Sequence, residues 1–317
     1  MSLDPDLDSM RAQGHLAVDL LVDWLAELPR APVARMPDAR WLAQLVGEPL
    51  PTAPGSVEDS MRHFMTELMP FATLVNHPRF FAYIPCPGSY VGALGALLAA
   101  GTNLFTGSWL GGAVAAQLEE QVLEWVREAL ALPIGFRGVI TSGGSLANLS
   151  GLAAARARVA EADWNRTTVY VSQATHHSVA KAARLLGITG DRVRNIPVDA
   201  GQRMVPEPLR ASIAADRLSG RVPMLVCGTL GTTTTGAIDP LDAMVEVCRA
   251  EGVWLHVDGA YGAAMALLPE SRDALRALEA ADSITLDPHK WLYAPFECGC
   301  FLTRHLDALR RAFAADG

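Results

Sequence analysis

The chain has 317 residues, a formal net charge of −8 and a hydrophobic fraction of 50%. A chain this long and this apolar can bury a sizeable core, which excludes an intrinsically disordered protein. Its acidity and the lack of a Lys/Arg cluster argue against nucleic acid as a partner.

The N-terminal part of the chain predicts a helical arm rather than a domain with its own core. A first helical pattern ends before Pro29, and the proline-rich residues 29–55 predict an irregular linker. A further helix is expected at 57–69. We therefore assign residues 1–84 to an N-terminal helical arm and residues 85–317 to one larger domain.

In the larger domain, short apolar runs alternate with helical patterns. The expected strands are 138–141, 168–171, 224–227, 253–257, 283–286 and 298–303. The expected helices are 118–130, 145–161, 177–186 and 240–250. Apolar strands that alternate with helices predict an α/β fold, with a mostly parallel sheet flanked by helices on both faces.

Cysteine usage and the N-terminus indicate the compartment. Five scattered cysteines predict reduced intracellular thiols. Cys298 and Cys300 have no second ligand pair at zinc spacing, so no metal site is predicted. Residues 1–8 lack a basic start and an apolar stretch, and the weakly polar run 91–100 is too short to span a bilayer. We expect a cytoplasmic protein that makes no membrane contact.

Two loops at expected strand ends are suited to an anion, and ligands of parallel sheets bind beyond such ends. The loop Thr141–Ser145, with Gly143 and Gly144, precedes a helix whose free N–H groups attract negative charge. An ordinary tight turn with a serine cap is the alternative. The loop 231–236, with Thr233, offers hydroxyls for a phosphate or phenolic oxygen, unless it is merely flexible.

Three further side chains follow strands. His176 can stack on a flat ring or transfer protons, although a capping role is also open. Asp258 closes an apolar strand and needs a cationic partner, which a protonated pyridine nitrogen would supply, and Ala260 leaves room for a flat ring. Lys290 is expected to be buried, with a desolvated amine that acts as a nucleophile. The other lysine, Lys181, is predicted to be solvated on its helix.

Together these five places predict one cofactor. Pyridoxal 5′-phosphate (PLP) needs an anion cradle, a stacking partner, hydroxyl donors, a carboxylate for its ring nitrogen and a lysine amine. The sequence therefore predicts a PLP enzyme in which Lys290 holds the cofactor as a Schiff base.

Several stretches, in order along the chain, carry a family resemblance: His77–Tyr83, Gly107–Trp109, Gly138–Ile140 with its Gly-Ser loop, His176–Ser178, Leu230–Thr233, Trp254–Asp258 and Pro288–Trp291. In these stretches the chain resembles the group II PLP-dependent amino-acid decarboxylases, and most of all the aromatic-L-amino-acid decarboxylase branch. The resemblance implies the fold type I (aspartate-aminotransferase-like) architecture. It also implies a homodimer with active sites at the subunit interface, and an amino-acid substrate converted to an amine and CO₂.

The resemblance also implies residue roles. Lys290 would form the internal aldimine, Asp258 would pair with the pyridine nitrogen, His176 would stack on the ring and Ala260 would pack on its opposite face. These first three would be catalytic. Further cofactor contacts would come from Gly143, Gly144, Ser145, Thr233, Asp287 and His289. Tyr83 and Cys86 would line the substrate pocket.

Three departures from the family pattern bear on these expectations. Asp287 stands where the family usually has asparagine, and Cys86 where it often has threonine. The family continues beyond the lysine with a catalytic loop and a small C-terminal domain, which we expect to be largely missing here. Alternatives therefore remain: a decarboxylase or aldehyde-forming enzyme for a non-aromatic amino acid, or a truncated PLP-binding homologue with little turnover.

Overall fold

A computed structural model describes residues 4–45, 47, 49–84 and 86–314. The chain divides into two compact units, Met1–Ala82 and Tyr83–Gly317. The boundary predicted from the sequence lies two residues later, after residue 84.

The first unit is helical. Its helices are α1 (Leu7–Glu27), α2 (Ala39–Leu45) and α3 (Val57–His63). The Asp6 carboxylate caps α1 by accepting from the backbone N–H groups of Asp8 and Ser9. The helix expected at 57–69 is found, but its second half is a π-helical turn over Phe64–Leu68.

The second unit contains one sheet and the remaining helices. Its strands are β1 (Arg137–Thr141), β2 (Thr167–Ser172), β3 (Val193–Ile196), β4 (Val222–Thr229), β5 (Trp254–Asp258), β6 (Ser283–Leu286) and β7 (Gly299–Thr303). Its helices are α4 (Tyr90–Thr102), α5 (Trp109–Ala129), α6 (Gly144–Arg156), α7 (His177–Leu185), α8 (Pro206–Leu218), α9 (Leu241–Glu251), α10 (Pro269–Arg272), α11 (Pro288–Trp291) and α12 (Leu306–Phe313).

The seven strands form one sheet in the order β1-β7-β6-β5-β4-β2-β3. Neighbours from β6 through β3 are parallel, and β7 runs antiparallel to both β1 and β6. The predicted mostly parallel sheet is confirmed. The elements of this unit that were not predicted are strand β3 and helices α4, α8, α10, α11 and α12.

Helices cover both faces of the sheet. Successive strand residues alternate between two apolar clusters, as the two-residue period of a strand requires: Val226 belongs to one cluster, and its neighbours Leu225 and Cys227 to the other. The first cluster includes residues of α5, α8 and α9, and the second includes residues of α6, α7 and α12. This layering leaves the strand ends as the place where polar groups can gather.

No helix within the described ranges combines the length and the apolar character that a membrane crossing requires.

Candidate active site

A cavity of about 370 Å³ opens at the carboxyl ends of the parallel strands, within the second unit. Ten residues that the sequence analysis assigned to the cofactor site all line it: Gly143, Gly144, Ser145, His176, Thr233, Asp258, Ala260, Asp287, His289 and Lys290. The structure thus brings the five predicted strand-end places together.

The start of α6 forms one wall of the cavity. Gly143 caps the helix with a φ of 151°, a conformation that favours glycine. A Cβ on Gly144 would lie 2.8 Å from Asp287 Oδ2 and 3.1 Å from the Ala260 methyl group, so only glycine fits there. The first N–H groups of an α-helix have no partner within the helix and favour an anion.

Lys290 differs from its prediction. Its side chain is 23% exposed rather than buried, and its Nζ lies 3.0 Å from Asp287 Oδ2. Asp287 is itself 3% exposed, and burial raises the pKa of its carboxyl, an effect that the positive charge of Lys290 partly offsets. His289 Nε2 lies 3.5 Å from the same carboxylate oxygen. The amine is therefore held by an ion pair.

Asp258 has neutral hydrogen-bond donors within the chain. The Asn148 amide donates to its Oδ2 at 2.9 Å, and the Ala260 backbone N–H donates to its Oδ1 at 3.2 Å. A cationic partner is expected from the sequence, and the described residues make no ion pair with Asp258. Asp258 therefore presents to the cavity a carboxylate whose position is already fixed.

His176 is half-buried and caps α7. Its Nδ1 lies 2.7 Å from the Ser178 hydroxyl, and burial is the main cause that lowers the pKa of the imidazole. The adjacent His177 ring lies 4.1 Å away, centre to centre, tilted by 43°. The capping role that the sequence left open is real, and it leaves His176 on the cavity wall.

The threonine loop is folded on itself. The hydroxyls of Thr232 and Thr235 lie 2.8 Å apart, and the Ala237 N–H donates to the Thr232 hydroxyl at 3.0 Å. Thr233 is exposed and lines the cavity. Internal hydrogen bonds thus give this loop a defined shape.

Tyr83 and Cys86 are not among the residues that line the cavity. Tyr83 is 89% exposed and Cys86 is half-buried. Their assignment to the substrate pocket stays a prediction. Lys181 is exposed on α7, as predicted.

Sequence reasoning missed several lining residues, including Asn148, Ser178, Thr229 and Phe296. Asn148 and Ser178 lie inside helices. The prediction considered only residues that follow strands, so it did not include them. A signal was available for Asn148: asparagine is a poor helix former, and this one interrupts an apolar, alanine-rich helix.

Comparison with known proteins identifies a family. The family model described as the pyridoxal-dependent decarboxylase conserved domain matches residues 40–316. The chain is 37% identical to the aromatic-L-amino-acid decarboxylase of Bacillus atrophaeus, over 98% of the chain and 65% of that protein. It thus spans slightly less than two thirds of the length of this relative.

Solved structures are similar over nearly the whole chain. Catharanthus roseus tryptophan decarboxylase in complex with L-tryptophan has a TM-score of 0.94 at 30% identity, covering 99% of this chain and 70% of that one. Rhodiola rosea 4-hydroxyphenylacetaldehyde synthase has a TM-score of 0.93 at 32% identity, covering 98% and 69%. The expected fold type I architecture is confirmed. Because the family model covers most of the chain and agrees with the sequence motifs, the chain belongs to the group II PLP-dependent amino-acid decarboxylase family, whose cofactor is PLP.

Proposed function

We propose that this protein decarboxylates an L-amino acid, preferably an aromatic one, to the corresponding amine and CO₂. The observation that carries the proposal is the convergence of Lys290, Asp258, His176 and the start of α6 on one cavity. A lysine amine, a buried carboxylate, an imidazole and an anion-binding helix start are the groups that PLP chemistry requires of a protein.

The residues present fit PLP. Among the described residues, two buried side-chain polar atoms lack a hydrogen-bond partner, Thr229 Oγ1 and Asp287 Oδ1, and both residues line this cavity. Buried polar groups are nearly always paired in native proteins, so two orphans in one cavity indicate a polar ligand. The glycine-lined start of α6 supplies the complementary surface for a phosphate.

Each wall of the cavity has a proposed part in holding the cofactor. The N–H groups at Gly144 and Ser145, with Thr233, would bind the phosphate. Asp258 would face the ring nitrogen, and His176 and Ala260 would lie on opposite faces of the ring.

The proposed chemistry divides between cofactor and chain. When bound, PLP supplies an aldehyde that condenses with amines and a ring that accepts the electron pair left by the departing carboxylate. Asp258 supplies a preorganised negative charge that keeps the ring nitrogen protonated. Lys290 must lose a proton before its amine can form a bond, and Asp287 Oδ2, at 3.0 Å, is in position to accept it.

The relatives support an aromatic substrate. The similar chains include an aromatic-L-amino-acid decarboxylase and a tryptophan decarboxylase in complex with L-tryptophan. Tyr261 and Phe296 add aromatic rings to the cavity lining. A second candidate is aldehyde formation, which is favoured by the similarity to an aldehyde synthase.

Product analysis tests both candidates. The PLP-loaded protein is incubated with phenylalanine, tyrosine, tryptophan, glutamate and diaminobutyrate, and CO₂, amine, aldehyde and O₂ consumption are measured. We expect CO₂ and amine in equal amounts from an aromatic substrate, with no O₂ consumed. Aldehyde with O₂ consumption would favour the second candidate. If PLP binds but no amino acid on the panel releases CO₂, the decarboxylase proposal is wrong.

We further propose a homodimer, which is supported by an uncovered apolar surface. Helix α4, with the sequence YVGALGALLAAGT, has no buried residue. Leu98 is 68% exposed on α4, and Leu110 and Val114 on α5 are 97% and 72% exposed. An apolar surface of this kind is typical of a protein interface. The symmetry of most oligomers makes a second copy the expected partner.

The proposed interface is linked to the cavity. The Ser89 N–H, at the start of α4, donates to the Tyr293 carbonyl at 2.9 Å, and Gly92 packs against Pro295. The same loop continues into Phe296 and Glu297, which line the cavity. A partner on α4 would therefore border the site.

Sedimentation velocity tests the dimer. We expect the wild type to sediment as a dimer and Leu98→Glu as a monomer. Leu218→Glu, a control at a 91% exposed leucine at the end of α8, should remain dimeric. A monomeric wild type at high concentration would contradict the proposal.

We also propose a cytoplasmic location, which the five free cysteines support.

A further inference from the structure

Behind the cavity wall lies a buried polar cluster centred on Asn148, which is 1% exposed on α6. Its amide nitrogen donates to Asp258 Oδ2 and to the Ser178 hydroxyl, both at 2.9 Å. Its amide oxygen lies 2.9 Å from His256 Nε2 and 2.8 Å from the Thr285 hydroxyl. All four hydrogen-bonding positions of the amide are therefore used.

The carboxylate sets the orientation of this amide. An ionised Asp258 can only accept hydrogen bonds, so the Asn148 atom that faces it must be the NH₂ group. The Asn148 oxygen must then face His256 and Thr285. Since that oxygen only accepts, His256 must carry a proton on Nε2, and Thr285 must donate.

His256 is neutral, so its other ring nitrogen accepts. It is fully buried, and burial lowers the pKa of its imidazole to about 4. With the single proton on Nε2, Nδ1 accepts from the Ser283 hydroxyl at 2.8 Å. That hydroxyl in turn accepts from the Trp254 indole N–H at 2.8 Å. The direction of every hydrogen bond on this side of Asn148 is thereby fixed.

Ser178 connects the Asn148 cluster to the cavity. The Ser178 hydroxyl accepts from Asn148, and the Ser178 backbone N–H donates to His176 Nδ1 at 3.4 Å. Nδ1 of His176 is therefore an acceptor, so the Ser178 hydroxyl donates to it at 2.7 Å. The proton of neutral His176 lies on Nε2, for which the described residues offer no hydrogen-bond partner.

We infer that Asn148 is a positioning residue of this site: one side-chain amide fixes the Asp258 carboxylate and, through Ser178, presents His176 to the cavity with its proton on Nε2. The part of the inference that concerns the cofactor rests on the proposed function. The part that concerns the histidine tautomers does not, because it follows from the hydrogen bonds of the chain alone.

The tautomers are tested in the cofactor-free wild type. Long-range ¹H–¹⁵N spectra of ¹⁵N-histidine-labelled protein distinguish the two neutral forms, and His176→Gln and His256→Gln identify the resonances. We expect both imidazoles to carry their proton on Nε2 at neutral pH. A proton on Nδ1 of either ring would overturn the inference, whether or not the protein binds PLP.

Variants test the coupling. Asn148→Ala should raise the Kd for PLP about tenfold, the effect of losing one hydrogen bond to a charged group. It should also shift the His176 resonances. The matched control is Ser150→Ala on the same helix, where the lost hydroxyl bonds only to the Leu146 carbonyl. This control should change the Kd less than about twofold, well below the expected loss of a charged hydrogen bond.

A second variant keeps the coupling test decisive if Asn148→Ala does not fold. Ser178→Ala removes the 2.7 Å hydroxyl bond to His176 Nδ1 and keeps only the longer backbone N–H bond at 3.4 Å, so it should weaken the tautomer preference of His176 and leave that of His256 intact. Unchanged His176 resonances in a folded Asn148→Ala or Ser178→Ala protein would contradict the coupling. Failure of the wild type to bind PLP would instead refute the proposed function. The inference about the histidine tautomers would still be decided by the spectra of the cofactor-free protein.

Discussion

Two buried acids stand at the ends of neighbouring strands and have opposite surroundings. Asp258 ends β5 and Asp287 follows β6, with exposures of 5% and 3%. Asp258 accepts from an asparagine amide and a backbone N–H, and the network behind it is fully paired. Asp287 has one oxygen on the Lys290 amine and the other without a partner.

The chain itself supplies the hydrogen-bond partners of Asp258, whereas one oxygen of Asp287 is left for a ligand to bind. The surroundings of Asp258 fix a negative charge before any ligand arrives, as electrostatic preorganisation requires. The surroundings of Asp287 leave a buried oxygen unsatisfied, which costs free energy until a proton or a ligand satisfies it. Four predictions test this contrast, in order of decreasing effect.

The largest effect is expected at Asp258. Asp258→Asn keeps the shape of the side chain and removes its charge, and we expect CO₂ release to fall about a hundredfold or more, as for the loss of a preorganised electrostatic partner. Asp216→Asn, at a buried acid outside the cavity, is the control and should retain most of the turnover. Steady-state rates that are equal in Asp258→Asn and the wild type would refute the role of the charge.

The second prediction concerns pH and His256. Its pKa is about 4 in the folded chain, and the ordinary value is about 6.5, so the unfolded chain binds more protons between these values. The free energy of unfolding should therefore decrease as the pH falls from 7 to 4, with a contribution from His256 of about 3 kcal/mol. Urea denaturation at several pH values measures it. His256→Gln should lack this contribution, and identical slopes in the two proteins would contradict the prediction.

The third prediction concerns Asp287. Asp287→Asn replaces a carboxylate, whose pKa is raised by burial, with an amide that can donate to a phosphate. We expect PLP to bind about tenfold more tightly, the effect of about one hydrogen bond to a charged group. In the wild type this acid should favour PLP binding when protonated and weaken it as the pH rises through the raised pKa; the variant should lose that component. Weaker binding by Asp287→Asn in equilibrium titrations would show that the Lys290 ion pair matters more.

The smallest effect is expected at Thr229, whose hydroxyl also lacks a partner. Thr229→Val removes the hydroxyl and keeps the shape. Without cofactor, the free energy of unfolding should stay the same or rise by less than about 1 kcal/mol, because no hydrogen bond is lost. PLP affinity should fall a few-fold. A marked loss of stability in thermal denaturation of the cofactor-free protein would show that the hydroxyl is paired within the chain.

Much of the fold could be predicted, because buried strands read as apolar runs between helices. Strands β2, β4, β5 and β6 were recognised in this way. Helix α4 was missed because it is apolar on all sides and shows no helical periodicity. Strand β3, with the sequence VRNI, is short and lies at the sheet edge. The antiparallel direction of β7 could not be predicted, because an apolar run in the sequence does not indicate the direction of a strand.

The cavity could be predicted because the residues that follow parallel strands all lie at the same edge of the sheet. The contrast between the two acids could not. Asp258 and Asp287 both follow apolar runs, and their partners come from distant parts of the chain. Asn148 lies 110 residues from Asp258 in sequence, a separation that no local pattern spans. The burial of Lys290 was overestimated because the sequence does not show how open a cavity is.

The most direct test of the proposed site is to find where PLP attaches. The PLP-loaded protein is reduced with borohydride, digested and analysed by mass spectrometry. The chain has two lysines, so the labelled position is unambiguous. We predict the pyridoxyl group on Lys290 in the wild type and in Lys181→Ala, and no lysine label in Lys290→Ala. A label on Lys181, or an unlabelled Lys290 in protein that has bound PLP, would contradict the proposed site.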